Sequence, residues 1–135
     1  MISAVREKFL FASTHSIMEV DVYTYNMTVL FGHKESYEVF SLDYDYQNGY
    51  VYFPRYNVGD IVRFPYPSQH IALQHVVDTS SGPVGVAIDS ANDHVYWVNR
   101  YGNTLSRCKS DGTNVVVVSL SFSNTFMIRL DVTQR

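Results

Sequence analysis

Val86-Ala87-Ile88-Asp89-Ser90-Ala91-Asn92-Asp93-His94-Val95-Tyr96-Trp97 has a near copy one repeat earlier, Leu42-Asp43-Tyr44-Asp45-Tyr46-Gln47-Asn48-Gly49-Tyr50-Val51-Tyr52-Phe53. Asp45 and Asp89, Tyr52 and Tyr96, Ile61 and Leu105, and Arg63 and Arg107 each stand 44 residues apart, with no gap needed. A period in the forties carrying strand-like alternation marks a propeller blade, a supersecondary unit that cannot bury its faces alone. Such a chain is characterised by how many blades it holds and by what they bind.

Working outward, the most complete unit begins at Pro83, with strands expected over 84–89, 94–98, 104–109 and 115–120. Asn92-Asp93 and Arg100-Tyr101-Gly102-Asn103 supply its first two turns, and Asp111-Gly112 is a strong hairpin signal for the third. The preceding unit repeats the order over 39–43, 50–53, 60–64 and 71–77, with Asn48-Gly49 at its first turn. Its third turn, Pro65-Tyr66-Pro67-Ser68, predicts a longer or irregular outer hairpin. Before it, 9–13, 17–21 and 27–31 match second, third and fourth strands, and 126–132 looks like one more first strand, its Asp131 standing 42 residues after Asp89. The expectation is one all-β domain over 1–135, with three strands of a first blade in 9–31, a second blade in 38–77, a third in 83–120 and a final strand in 126–132. No helix has a convincing pattern or cap.

Composition agrees. Hydrophobic residues make up 46% of the 135, with 11 Tyr and 8 Phe, and only 17% are charged. Such a chain can bury a core and favours a β-rich domain over a disordered one. A net charge of −3 with no basic cluster points away from nucleic acid and anionic membranes. No apolar run approaches the roughly 20 residues of a membrane-spanning helix, and the first eight residues lack the apolar core of a signal peptide. The single cysteine, Cys108, cannot form an internal disulfide. Read alone, these facts suggest cytosol, a reading that the repeat argues against.

The repeats resemble the YWTD repeat, also called the low-density-lipoprotein-receptor class B repeat. The motif-bearing second strands are Tyr96-Trp97-Val98-Asn99, Tyr52-Phe53-Pro54-Arg55 and Leu10-Phe11-Ala12-Ser13. The third repeat is the most typical, with Pro83-x-Gly85-Val86-Ala87-Ile88-Asp89 before the motif and Leu105 to Gly112 after it. The Asp that closes the motif is replaced each time, by Asn99, Arg55 and Ser13. The resemblance implies part of a six-bladed β-propeller from a secreted protein or receptor ectodomain, in the company of lipoprotein receptors, Wnt co-receptors and nidogen. It implies a binding or scaffolding module without catalysis or cofactor. Three blade equivalents are half of such a ring. The chain is therefore expected to be a fragment of a longer receptor-like protein, with two paired chains or an open half-ring as the alternatives.

Candidate sites follow from the repeat. Arg55, Tyr56, Arg100 and Tyr101 fall in corresponding loops and form the preferred protein-binding patch, since Tyr and Arg are enriched at interface hot spots. Asp43 joins them because Ala87 stands at the matching position, so its carboxylate is no part of the repeat. Asp45, Asp89 and Asp131 recur per blade and are expected to anchor turns. The rival is a metal-dependent lactonase-like propeller enzyme, in which these Asp would converge with Asn side chains on a channel cation. Tyr52, Tyr96, Phe53 and Trp97 are expected in the core, one of each pair on each sheet face. His15, His33, His70, His75 and His94 read as loop histidines without metal-site spacing, although exposed histidines could sense endosomal pH. Asn26-Met27-Thr28 is an N-glycosylation sequon at an outer turn, and Cys108 is expected to be a buried, inert thiol.

Overall fold

The computed structural model describes residues 7–32, 37–68, 70–80, 82–119 and 127–131. Period-2 alternation becomes three antiparallel sheets in chain order. The first is β1 (Lys8–Ser13), β2 (Ser16–Asp21) and β3 (Met27–Gly32). The second is β4 (Asp43–Asp45), β5 (Tyr50–Arg55), β6 (Asp60–Pro65) and β7 (Gln74–Asp78). The third is β8 (Pro83–Asp89), β9 (His94–Asn99), β10 (Thr104–Cys108) and β11 (Val116–Ser119). A single 3-10 turn, Ser90–Asn92, joins β8 to β9. Sequential strands are neighbours in every sheet, so each sheet is a meander, as a blade requires.

The repeat extends to the register. Tyr52 lies opposite Arg63 in the second sheet and Tyr96 opposite Arg107 in the third. A bulge interrupts each outermost pairing, between Ile17 and Met18, Ile61 and Val62, and Leu105 and Ser106. Bulges increase local twist, and here they recur at one place in all three blades.

Alternation then decides packing. Val51, Phe53, Val62 and Phe64 face the first sheet and bury against Ile17, Leu10, Ala12 and Phe31. Tyr52, Ile61, Val76 and Val77 face the other way, against Val86, Val95, Trp97 and Cys108 of the third sheet. The two cores are thus blade-to-blade joints, with the middle sheet shared between them. Tyr52, Phe53 and Trp97 are buried as expected, at 0%, 0% and 2% exposure. Tyr96 is only half-buried, because its face of the third sheet meets no further blade among the described residues. Backbones approach closely at these joints: a Cβ on Gly112 would lie 2.1 Å from the Val76 carbonyl oxygen of the neighbouring sheet.

Two expected strands are corrected. The first strand of the middle blade is not 39–43 but Asp43–Asp45. The Tyr56 N–H donates to the Glu38 carbonyl at 2.9 Å, so the chain meets the β5 line at Glu38, leaves it, and rejoins at Asp43. Residues 127–131 do not form a strand either. They keep strand-like alternation, with Ile128 and Leu130 half-buried between exposed neighbours, but a ladder needs a partner strand and they have none in the described sheets. The third turn of the middle blade is irregular, running from Tyr66 to Leu73 with a cis Tyr66-Pro67 bond.

Candidate functional site

The turns after β5 and β9 leave the motif strands at the same end of neighbouring blades. Their side chains converge. The Tyr56 and Tyr101 rings lie 6.3 Å apart, and the Arg100 guanidinium carbon sits 5.9 Å from the Tyr101 ring centroid. Gly82 makes the approach achievable. It takes a left-handed φ of 54°, and a Cβ there would come within 2.9 Å of Tyr101 Cδ2 and 3.0 Å of Tyr56 Cε2. Its carbonyl also accepts from the Arg100 N–H at 2.8 Å, fixing the second turn against the linker. The Tyr56 phenol is pushed up from its ordinary pKa, first by its hydrogen bond with the Tyr101 hydroxyl, with Arg100 opposing the shift.

Phe40 completes the patch, meeting Tyr56 edge-on at 5.2 Å and 89°. The sequence reading placed it inside a strand. One signal was there: after buried Tyr37 and Val39, alternation calls for a polar residue at 40, and an aromatic stands instead. Phe40 and Tyr101 are 45% and 58% exposed, so the structure sets aromatic area, a cation and phenol hydroxyls on one rim. That is the chemistry of an interface anchor.

Arg55 lies beside this patch but points inward. Its Nε and Nη2 donate to the two Asp60 oxygens at 2.8 and 2.5 Å, and the guanidinium lies 5.3 Å from the Tyr37 ring centroid. Arg55 therefore ties β5 to β6 across the turn. In the third blade, Asn99 occupies the corresponding motif position and bridges otherwise, donating from Nδ2 to the Thr79 carbonyl at 2.9 Å. A polar residue at this position still links blade three to the segment leaving blade two.

Asp43 sits elsewhere, at the inner ends of the sheets. Its oxygens accept from the Tyr44 and Ile88 N–H groups at 2.9 and 2.7 Å, joining the innermost strands of blades two and three. Ser41 accepts from the Val86 N–H at 3.1 Å and Asp45 from the Ser90 hydroxyl at 2.5 Å. These three bonds form a row of acceptors on the second blade for donors on the third. The matching residues of the third blade are Gly85, Ala87 and Asp89, so the repeat could continue only the last of them. Burial raises the Asp43 pKa, partly offset by its two backbone donors. A cleft of about 830 Å³ opens beside it, lined by Leu10, Phe40, Ile88, Met127 and Arg129. Tyr44 and Tyr46, 4.6 Å apart, flank this cleft at the end of β5 opposite the Tyr56 patch.

Two of the repeated Asp residues, Asp45 and Asp89, bind groups of the turns that follow them. Asp45 accepts from the Gln47 and Asn48 N–H groups, each at 3.1 Å, and from Asn48 Nδ2 at 2.9 Å. Burial opposes its ionisation, but the bonds from Ser90 and Asn48 prevail and hold its carboxyl below the ordinary range. Asn92 Nδ2 likewise donates to Asp89 at 2.8 Å. Each Asn thus donates its side-chain amide to the Asp of its own turn. Asp60, His75 and Asp78 hold their donor atoms within 4.8 Å of one another, outside this inner zone. Arg55 already occupies both Asp60 oxygens, and His75 Nε2 lies 2.9 Å from Asp78.

The remaining candidates are dispersed. Asn26 is exposed between β2 and β3, and Cys108 is buried, its thiol pushed up to about 12 by burial. His15, His70 and His75 are exposed and His94 packs edge-on against Tyr96, while His33 lies outside the described residues.

No protein-family profile and no curated protein matches the sequence. A solved structure does: a chain in the crystal structure of a nidogen/laminin complex, with a TM-score of 0.74 and 19% identity. The match covers 84% of this chain and 44% of that one, so this chain spans less than half the length of the chain it matches. At this identity the likeness concerns the fold. The protein is an all-β partial propeller built of antiparallel blades, the architecture that the YWTD-like repeats imply.

Proposed function

We propose that the protein is a non-enzymatic binding module of an extracellular, receptor-like protein, whose rigid blades present Tyr56, Arg100, Tyr101 and Phe40 to a protein ligand. The observation carrying this reading is the convergence of Tyr56 and Tyr101, from turns 45 residues apart, onto one exposed rim with Arg100 beside them. Arg55 ties β5 to β6 through Asp60 beside the turn that carries Tyr56, and Asp43 holds the inner strands together. The matched fold comes from a protein–protein complex, which fits a binding role, and its greater length supports placing these blades within a larger propeller. In an extracellular setting the exposed Asn26 sequon would carry a glycan.

The test compares the immobilised chain with a Tyr56→Ala/Arg100→Ala/Tyr101→Ala variant in capturing proteins from a secreted-protein mixture. Circular dichroism first establishes that both are folded. Ligands of the wild type should be retained at least about tenfold less by the variant, the effect of losing hot-spot residues. An unchanged set of captured proteins would overturn the reading.

A further inference from the structure

Asp60, His75 and Asp78 meet on the two outer strands of the middle blade, and the ladder explains how. Asp60 lies directly opposite Asp78, and Ile61 opposite Val77. Val76 is the extra residue of the bulge, so His75 comes opposite Val62. Without that extra residue His75 would point to the other side of the sheet; with it, the imidazole shares a face with both carboxylates. The packing agrees, since the consecutive Val76 and Val77 both bury against the third sheet. Because the three side chains come from two strands, no spacing within one segment announces them.

The repeat does not call for these residues. Where blade two pairs Asp60 with Asp78, blade one pairs Ser16 with Gly32, and where His75 stands opposite Val62, Val29 stands opposite Met18. In blade three Thr104 takes the place of Asp60, and Val117 that of His75. Three departures from the repeat thus gather at one point of one blade. They also bring a cost, because like charges directly opposite each other weaken a sheet. Arg55 compensates Asp60 alone, through one bond to each of its oxygens. A carboxylate offers about four acceptor sites, so Asp60 keeps room for a further ligand beside the guanidinium.

We infer that these three side chains bind a zinc ion, Asp60 through Oδ2, His75 through Nε2 and Asp78 through Oδ1. His75 Nε2 lies 3.7 Å from Asp60 Oδ2 and 2.9 Å from Asp78 Oδ1, and all three donor atoms fall within 4.8 Å of one another. Ligands at about 2.1 Å around a tetrahedral zinc stand about 3.4 Å apart, a spacing that the two imidazole distances bracket. One imidazole and two carboxylates are a zinc donor set, whereas calcium and magnesium take oxygen ligands. The Asp60 side chain is 4% exposed, and those of His75 and Asp78 are 52% and 89% exposed, so the ion enters from solvent and keeps a fourth position open on that side. Bound there, it fastens the outermost strand β7 to β6 and relieves the opposed carboxylates. This inference is independent of the rim patch.

The test titrates the chelator-treated full chain with zinc chloride and, separately, with calcium chloride in a calorimeter, and follows thermal unfolding with each. One zinc ion per chain should bind and raise the unfolding midpoint, and calcium should do neither. His75→Ala and Asp78→Asn, both at exposed side chains, should each weaken zinc binding at least about tenfold, since even a residue that only supports a metal ligand is worth that much. His70→Ala removes an exposed histidine from the preceding turn and should bind zinc as the wild type does. Circular dichroism establishes that the variants are folded. Should one fail to fold, cobalt(II) added to the wild type is the second measurement, with the intense visible absorption of a tetrahedral site expected and its loss on adding zinc. No saturable zinc binding, equal binding of calcium, zinc binding unchanged in His75→Ala, or a cobalt spectrum no stronger than that of the free ion overturns the inference.

Discussion

Arg55→Ala should destabilise the fold by about 2–3 kcal/mol, a value that follows from how the pair is buried. Asp60 is 4% exposed and Arg55 22%, so the pair lies between two known regimes. Removing one partner of a fully buried pair costs about 3–5 kcal/mol, because the other charge is left without compensation. An exposed pair contributes about 1 kcal/mol at most. His75, with Nε2 at 3.7 Å from Asp60, can only partly replace the guanidinium, since it is itself half exposed to water. The assay is urea unfolding followed by Trp97 fluorescence at fixed protein concentration. Trp97 is the single tryptophan and is buried in the joint between blades two and three. The midpoint should fall with the slope unchanged. Arg55→Lys should be intermediate, because an ammonium cannot make the two-pronged contact. Arg55→Met/Asp60→Asn should recover most of the loss by removing the stranded carboxylate. A loss under about 0.5 kcal/mol, or a double variant no steadier than Arg55→Ala, would refute the reasoning and return Arg55 to the exposed patch.

Three other outcomes are expected. Phe53→Ala should cost about 3–5 kcal/mol by opening a cavity between blades one and two, read by the same unfolding assay. Gly112→Ala should lose more than the roughly 1 kcal/mol of a strained left-handed residue, because its Cβ would collide with backbone that cannot swing away, the Val76 carbonyl; Gly102→Ala, with φ 89° and open space around it, is the control. Asp45 has a folded-state pKa below its unfolded value, so its ionisation stabilises the fold above about pH 4 and that contribution fades as pH falls through the folded pKa. The stability difference between wild type and Asp45→Asn should accordingly shrink in acid, as thermal unfolding across pH 2–7 would show.

Sequence pattern and structure differ most where a strand lacks a regular partner. Residues 38–42 alternate only in part, and the aromatic at 40 marks the departure from a regular strand. Residues 127–131 alternate well, yet a ladder depends on hydrogen bonds from a second strand, which one segment's pattern cannot reveal. The pairing of Arg55 is hidden in the sequence for a related reason. A turn-flanking arginine looks available in sequence, and Asp60 five residues on is a partner only once β5 and β6 lie in register with Arg55 opposite Asp60.

The sequence by itself determined the blades. A 44-residue period, alternation within it and Gly or Asn at the turns specify local hairpins, and identical local signals produce matching sheets with matching bulges. The buried and exposed sides of Tyr52, Phe53 and Trp97 follow too, because successive side chains on a strand must point to opposite faces. Only the tertiary structure decided which polar residues serve the fold and which face solvent. Asp43 reaches Ile88, Arg55 turns to Asp60, and Phe40 joins Tyr56 and Tyr101, because these pairings depend on how neighbouring blades and turns come together. Distances between chain segments that meet only after packing are not encoded in the period of either segment.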